Sequence, residues 1–173
     1  MSGYCKLTDV RGLVLSAPGL CELMRRKRYK GKFKVKNPQK YIGDSTNVIY
    51  RSLMELNFMK WCERSEKVLK WNSEEVVIPY ISPMDKKRHR YFPDFLIQTN
   101  KGWTLIEVKP LVQTKPPKKI LIEKVTLKKK RRYVKAVKTW LVNEAKWNAA
   151  KKVCEVNGWK FELMTEKQLQ PDK

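Results

Sequence analysis

The sequence predicts an α/β protein in which two helices flank a central mixed sheet, in the order helix, strand, strand, strand, helix, strand. Three observations predict this fold. Apolar residues recur at helical spacing around position 55 and again over 127–157. Between these segments lie short runs rich in apolar and aromatic residues. The last two runs, 91–97 and 105–109, are separated by Thr99-Asn100-Lys101-Gly102, which is typical of a hairpin turn.

The first helix is predicted to run from Ser45 or Asn47 to about Ser65. The residues expected to face the core recur at helical spacing: Leu53, Leu56, Met59, and Trp61 with Cys62. The first strand is predicted at Glu75–Ile81, where Pro79 favours an edge position or a bulge. The charged segment that follows, 84–90, is predicted to be a hairpin turn leading into the second strand.

The second and third strands are predicted to carry a pair of facing carboxylates. If the turn between them has two or four residues, Asp94 lies directly opposite Glu107. Because side chains alternate along a strand, Lys109 then lies on the same face as Glu107. The sequence therefore predicts two acids and one lysine within a small area of the sheet.

Like charges directly opposite each other in a sheet are destabilising, so this arrangement calls for a positive charge. A divalent cation, Mg²⁺ or Mn²⁺, would supply it, since hard cations bind carboxylate oxygens and retain several waters. Lys109 could then orient or deprotonate a water, which makes a hydrolytic site for phosphodiesters. The alternative is structural, with Glu107 and Lys109 on the solvent face of a half-buried strand and Asp94 at a strand entry.

A second helix and a last strand complete the predicted fold. The prolines of 110–117 predict a non-helical loop after the third strand. The helix is predicted from about Leu127 to Asn157 with Gly158 as its C-cap, and the strand at Trp159–Met164. Trp140 and Trp147 are expected to pack further out than the buried side, which is predicted to consist of Val134, Val137, Leu141, Ala145, Ala149 and Val153.

The charge of the chain points to a nucleic-acid partner. It has 39 Lys and Arg against 17 Asp and Glu, a net charge of +22. Such a chain attracts polyanions, and phosphate backbones are the usual partner. A membrane is not expected, because no long apolar run or basic amphipathic helix rich in Leu and Trp is present. Four scattered cysteines and the single histidine, His89, argue against zinc and Ser-His-Asp sites.

Four segments are predicted from the composition: an N-terminal extension of unknown role at 1–23, a basic arm at 24–40, the main domain at 41–168 and a tail at 169–173. In the arm, Tyr29 and Phe33 are candidates to stack on bases or to anchor the segment. Two basic tracts are expected to bind DNA phosphates: Arg25, Arg26, Lys27 and Arg28 in the arm, and Lys128, Lys129, Lys130, Arg131 and Arg132 in the second helix.

The pattern Pro93-Asp94 followed by Glu107-Val108-Lys109, with this element order, resembles the PD-(D/E)xK nuclease superfamily and its restriction-endonuclease-like core. Longer strings, including Arg51-Ser52-x-x-Glu55, Val77-Ile78-Pro79-Tyr80 and Ile106-Glu107-Val108-Lys109-Pro110, resemble the head completion nucleases of T4-like tailed phages over roughly residues 30–168. A more distant similarity is to the TnsA-type transposon end nucleases.

The resemblance implies a Mg²⁺-dependent deoxyribonuclease, in particular an endonuclease, that acts on packaged double-stranded DNA before heads join tails. Catalytic roles are implied for Glu55, Asp94, Glu107 and Lys109, with the metal held by both carboxylates of the sheet, the Val108 carbonyl and Glu55. Arg51, Gln113 and Thr114 are expected phosphate contacts. Head, portal or neck proteins are the implied protein partners, in the host cytoplasm during assembly or in the virion head or neck, and no small-molecule cofactor is expected.

Three alternatives remain open at this point. The protein could be a structural head completion protein that binds DNA or the portal without essential cleavage, or a transposon-end-type endonuclease. A general nucleic-acid-binding module, including one for RNA, is the third.

Overall fold

The computed structural model describes residues 29–121 and 125–169. Within this part of the chain, a four-stranded sheet lies between two helices, and there are two further short two-stranded sheets. The elements in chain order are β1 (Gly31–Lys32), β2 (Ile49–Tyr50), α1 (Leu53–Arg64), β3 (Val68–Ser73), β4 (Ile78–Ile81), β5 (Arg88–Tyr91), β6 (Phe95–Thr99), β7 (Gly102–Val108), α2 (Leu127–Asn157) and β8 (Lys160–Met164). The predicted mixed α/β class is confirmed.

The first helix begins later than predicted. Residues 49–50 form β2, and α1 starts after Ser52, whose hydroxyl oxygen accepts a hydrogen bond from the backbone N–H of Glu55. A serine followed three residues later by glutamate is a capping-box signal, and here it places the start of the helix after Ser52 and not at Ser45 or Asn47. Leu53 is 45% exposed, because the buried face of α1 consists of Phe58, Met59, Cys62 and Glu63.

The first strand of the central sheet is β3, Val68–Ser73. The prediction that Glu75–Ile81 is the first strand of this sheet is wrong. Residues 78–81 instead pair with β5 in a separate antiparallel hairpin, so 88–91 is a strand and not part of a turn. Trp71 in β3 is fully buried beneath α1. Burial of this large side chain on the sheet is a strong reason for β3 to take the edge beside β6.

The pairing of the second and third strands is confirmed. In β6 and β7, Phe95 is opposite Ile106 and Thr99 is opposite Gly102, which leaves a two-residue turn. Gly102 has a φ of 103°, a conformation that suits glycine. The same register continued by one residue places Asp94, immediately before β6, opposite Glu107. On the other side of β7, β8 pairs in parallel, with Val108 level with Met164.

The second helix has the predicted bounds but a different buried face. Thr126 caps its start and Gly158, with a φ of 66°, ends it in the left-handed conformation. The buried residues are Asn143, Trp147, Ala150 and Cys154, so the prediction of Trp147 as an outer residue is wrong. Val134 and Leu141, predicted to be buried, are 41% and 39% exposed, because the first half of α2 extends away from the sheet.

The sheet separates two apolar clusters, one beneath α1 and one beneath α2. Residues 30–40, assigned to the basic arm from their charge, pack on the first cluster. Phe33 meets the Trp71 ring edge-on at 6.1 Å, and the buried Glu63 carboxylate accepts backbone hydrogen bonds from Lys36 and Asn37 at 2.8 and 2.9 Å. In the described part of the chain, no helix is both long and apolar enough to span a membrane.

Candidate active site

Three predicted site residues meet where β6 begins and β7 ends. The Lys109 Nζ lies 2.7 Å from Glu107 Oε1 and 3.4 Å from Asp94 Oδ2. It also donates a hydrogen bond to the Val108 carbonyl at 3.2 Å. The ammonium is thus surrounded by three oxygens from two strands. The fold brings together the carboxylates and the lysine that the strand pairing predicted.

Each carboxylate is fixed by a second donor. Asp94 Oδ2 accepts a 2.7 Å hydrogen bond from the backbone N–H of Val108. Glu107 Oε2 accepts a 2.6 Å hydrogen bond from the buried hydroxyl of Tyr91. These contacts hold the two acids in place, with one oxygen of each directed toward Lys109.

Tyr91 is a site residue that sequence reasoning missed. The Lys146 Nζ lies over its ring, 5.5 Å from the ring centre, within the range of a cation–π interaction. Tyr91 ends β5 and contacts Glu107 only because the chain bends between β5 and β6. A tyrosine in an aromatic strand gives no local signal that separates such a role from ordinary sheet packing.

The electrostatics of the site are set by burial and by the closeness of the two acids. Burial and then the Glu107 charge raise the pKa of Asp94 to about 7, while Lys109 and the Val108 N–H oppose the rise. Burial lowers the pKa of Lys109, but the adjacent Asp94 and Glu107 outweigh it, so the net shift is upward. Burial and Glu107 also raise the pKa of Tyr91. Ionisation of the Asp94 carboxyl therefore costs more free energy in the folded protein than in water.

Glu55 lies at the edge of this cluster and already has a structural role. Its two carboxylate oxygens accept hydrogen bonds from the Ser52 hydroxyl at 2.8 Å and from the Arg51 backbone N–H at 2.7 Å, which cap α1. Its charge nevertheless contributes to the raised pKa of Asp94. Arg51, predicted to reach a phosphate, forms an ion pair with Glu74.

The donor set fits a hard divalent cation of the magnesium type. Among the described residues, no three Asp, Glu, His or Cys side chains lie close enough to share a metal ion. Two carboxylates, one carbonyl and waters are nevertheless a sufficient set, because magnesium usually retains several waters. The ammonium of Lys109 stands in for such a cation, since it contacts an oxygen from Asp94, from Glu107 and from Val108.

The predicted DNA-binding residues are distributed around the domain. Lys128–Arg132 form the start of α2 and all are exposed. Gln113 is exposed in a single 3₁₀ turn, Leu111–Gln113, in a segment predicted to be non-helical. Arg25–Arg28 lie outside the described residues.

Comparison with known proteins identifies the family of this chain. The family described as TnsA-like endonuclease N terminal matches residues 65–166, a span that contains Asp94, Glu107 and Lys109 but not Glu55. The head completion nuclease of Enterobacteria phage T4 is 38% identical over 139 residues, which cover 80% of this chain and 91% of that protein. The chain therefore belongs to the head completion nuclease family, whose core is a TnsA-like endonuclease domain of the PD-(D/E)xK type.

Proposed function

We propose that this protein is a phage head completion nuclease that cuts double-stranded DNA with the help of Mg²⁺ or Mn²⁺. Its action would fall during or after DNA packaging and before heads join tails. The place of action is the host cytoplasm during assembly, with head, portal or neck proteins as partners and the virion head or neck as a later location. Family membership supports the nuclease activity and the role in head completion.

One observation carries the catalytic part of this proposal. Lys109 lies 2.7 Å from Glu107 and 3.4 Å from Asp94, and both acids are secured by other hydrogen bonds. Burying two acids side by side costs folding free energy. A purely structural strand end has no need for the pair, whereas phosphodiester hydrolysis has a direct use for it.

The roles of the residues follow from their contacts. Asp94, Glu107 and the Val108 carbonyl would hold the cation, and Glu55 would add negative charge from the start of α1. The cation would neutralise charge on the scissile phosphate and lower the pKa of a bound water. Lys109 donates hydrogen bonds to three oxygens in the metal-free protein. Its ammonium is placed to donate instead to a phosphate oxygen or to orient the attacking water.

The path of the DNA is proposed from charge and exposure. The exposed basic residues at the start of α2 and Gln113, in the 3₁₀ turn that follows β7, would contact phosphates. Arg51 would contact a phosphate after its ion pair with Glu74 is broken. Arg25–Arg28 would add contacts from the N-terminal side. Binding of this kind releases counterions and weakens steeply as salt rises.

Cleavage assays with purified protein test the catalytic proposal. Wild type is expected to cut linear or branched duplex DNA with Mg²⁺ or Mn²⁺ and to be inactive in chelator. Asp94→Asn and Lys109→Ala should each lose at least a hundredfold in rate, about 3 kcal/mol of transition-state stabilisation. Glu66→Gln, an exposed acid in the turn after α1, is the matched control and should cut like wild type.

Activity in chelator or full activity of Lys109→Ala would remove the catalytic proposal. Infection with phage carrying Asp94→Asn then tests the biological role separately. Loss of infectious particles is expected. Normal particle yield would show that the protein's contribution to head completion is structural.

A further inference from the structure

The first half of α2 projects beyond the sheet, past the active site. Helix α2 runs antiparallel to β8, which ends level with Val108 at Met164. From Lys160 to Met164 the strand advances about 13 Å, which an α-helix covers in about nine residues. The residue of α2 level with the end of β7 is therefore close to 148. The position of Lys146 over the Tyr91 ring, next to Glu107, agrees with this level.

Burial along α2 shows the same division. The structure describes this helix in full, and no residue before Asn143 in it is buried. The first sixteen residues, 127–142, thus form about 24 Å of helix without a buried residue, and Val142 at its end packs partly on the apolar cluster beneath α2. This segment, the projecting half of α2, contains seven Lys or Arg and no Asp or Glu. The rest of the helix, 143–157, has three Lys against two Glu.

The helical repeat shows which of these basic residues face the active-site side. Lys129 and Arg132 precede the buried residues Trp147 and Ala150 by about five full turns at 3.6 residues per turn. They therefore lie on the same face of α2 as Trp147 and Ala150, the face that packs on the sheet in the second half of the helix. Lys138 and Lys152, half a turn around, point away from the sheet.

We propose that the projecting half of α2 holds the duplex on one side of the cut, with Lys129 and Arg132 contacting phosphates about two-thirds of a DNA turn from the scissile bond. The axial distance from the level of Lys146 to Arg132 and Lys129 is about 21–26 Å. At 3.4 Å per base pair this corresponds to roughly six to eight base pairs. This inference rests on the proposed nuclease function and adds an asymmetric requirement for flanking duplex.

Charge complementarity identifies the occupant. The exposed apolar residues Leu127, Val134 and Leu141 repeat every seven residues on the projecting half, a spacing that also suits pairing with a second copy. Seven positive charges without an acid in the same sixteen residues oppose such pairing and favour a polyanion. Duplex DNA is the polyanion that the nuclease site requires.

Two double variants with equal charge change separate this surface from general basicity. Lys129→Gln with Arg132→Gln removes the two site-facing charges, and Lys138→Gln with Lys152→Gln removes two charges from the opposite face. All four positions are exposed and glutamine is a good helix former, so both proteins should fold. Equal circular dichroism and equal thermal unfolding will establish this.

DNA binding measured in chelator tests the contacts independently of cleavage. Affinity for a 24-base-pair duplex is followed by fluorescence anisotropy from 50 to 200 mM salt. The site-facing variant should lower the slope of log affinity against log salt by about 1.8, since each lost phosphate contact contributes about 0.9. Across this fourfold salt range, that difference amounts to about a tenfold change in relative affinity. Equal slopes for the two double variants would overturn the proposal.

Cleavage tests the flank requirement. After the cut is mapped on a long duplex, each side is shortened separately. Wild type should slow at least fivefold when one side falls below about six base pairs and not when the other side is shortened equally. The site-facing variant should lose this asymmetry, and symmetric dependence in wild type would contradict the inference. Failure of wild type to cleave any DNA would refute the nuclease function while the binding measurement still tested the surface.

Discussion

Replacing Asp94 by asparagine should stabilise the metal-free protein at neutral and alkaline pH. The carboxyl is largely buried beside Glu107, and its pKa is raised from 3.8 to about 7. Between these values the folded protein binds a proton that the unfolded chain has released, so the free energy of unfolding falls as pH rises through this window. Asparagine has no such charge and should not show this loss.

The size of the effect follows from the width of the window. About three pH units at 1.36 kcal/mol each set an upper limit of about 4 kcal/mol for the gain at pH 8. The attraction of Lys109 is already included, because it acts on the same pKa. The asparagine side-chain oxygen can still accept the hydrogen bond from the Val108 N–H. We therefore expect a gain of about 1–4 kcal/mol at pH 8 that shrinks steadily toward pH 4.

Urea unfolding in chelator at pH 5, 6, 7 and 8 measures this difference. Asp85→Asn is a control with the opposite sign. A hydrogen bond from His89 lowers the pKa of exposed Asp85, so its ionised form stabilises the fold above pH 4 and asparagine should destabilise it there. The reasoning would be refuted if Asp94→Asn had a lower free energy of unfolding than wild type at pH 8, or if the difference between the two proteins did not change with pH.

Three further changes test the supports of the site. Tyr91→Phe leaves the buried Glu107 Oε2 without its donor and should cost about 1–3 kcal/mol in urea unfolding; an unchanged midpoint would contradict the 2.6 Å contact. Glu55→Gln keeps a capping side chain, so it should preserve the free energy of unfolding within about 0.5 kcal/mol while slowing cleavage about tenfold. Ser52→Ala should lower the free energy of unfolding by about 1 kcal/mol without slowing cleavage. Cleavage by Glu55→Gln at the wild-type rate would show that Glu55 only caps the helix. Glu63→Ala removes the acceptor of four hydrogen bonds and should lower the free energy of unfolding by about 2–4 kcal/mol. A smaller loss in thermal or urea unfolding would show that water replaces the carboxylate.

Local signals in the sequence were enough to predict the parts of the site on β6 and β7. A two-residue turn before Gly102 determines the register, and the register alone places Asp94 opposite Glu107. The bounds of α2 were also predictable, because Thr126 and Gly158 are capping residues that act within a few positions of the chain. These features depend on contacts between residues that are close in sequence.

The errors concern contacts between residues far apart in sequence. Residues 68–73 and 75–81 are both short runs with at least three apolar residues, and only pairing with β6 decides that the first joins the sheet. The buried face of α2 depends on where the sheet ends, which is why Val134 was predicted to be buried and is exposed. The contact of Tyr91 with Glu107 likewise requires the bend between β5 and β6.

Lys109 has one role in the structure and a second in the proposed mechanism, and both follow from its position. In the metal-free protein it is the internal cation that makes a buried pair of acids tolerable, because it contacts Glu107 at 2.7 Å and Asp94 at 3.4 Å. A single ammonium cannot neutralise two carboxylates, and the raised pKa of Asp94 reflects first its burial and then the remaining charge of Glu107. A divalent cation would balance both acids and release Lys109 toward the substrate. The charge left on this cluster would therefore favour cation binding, and in the proposed mechanism the lysine that limits the charge would then be free to contact the substrate.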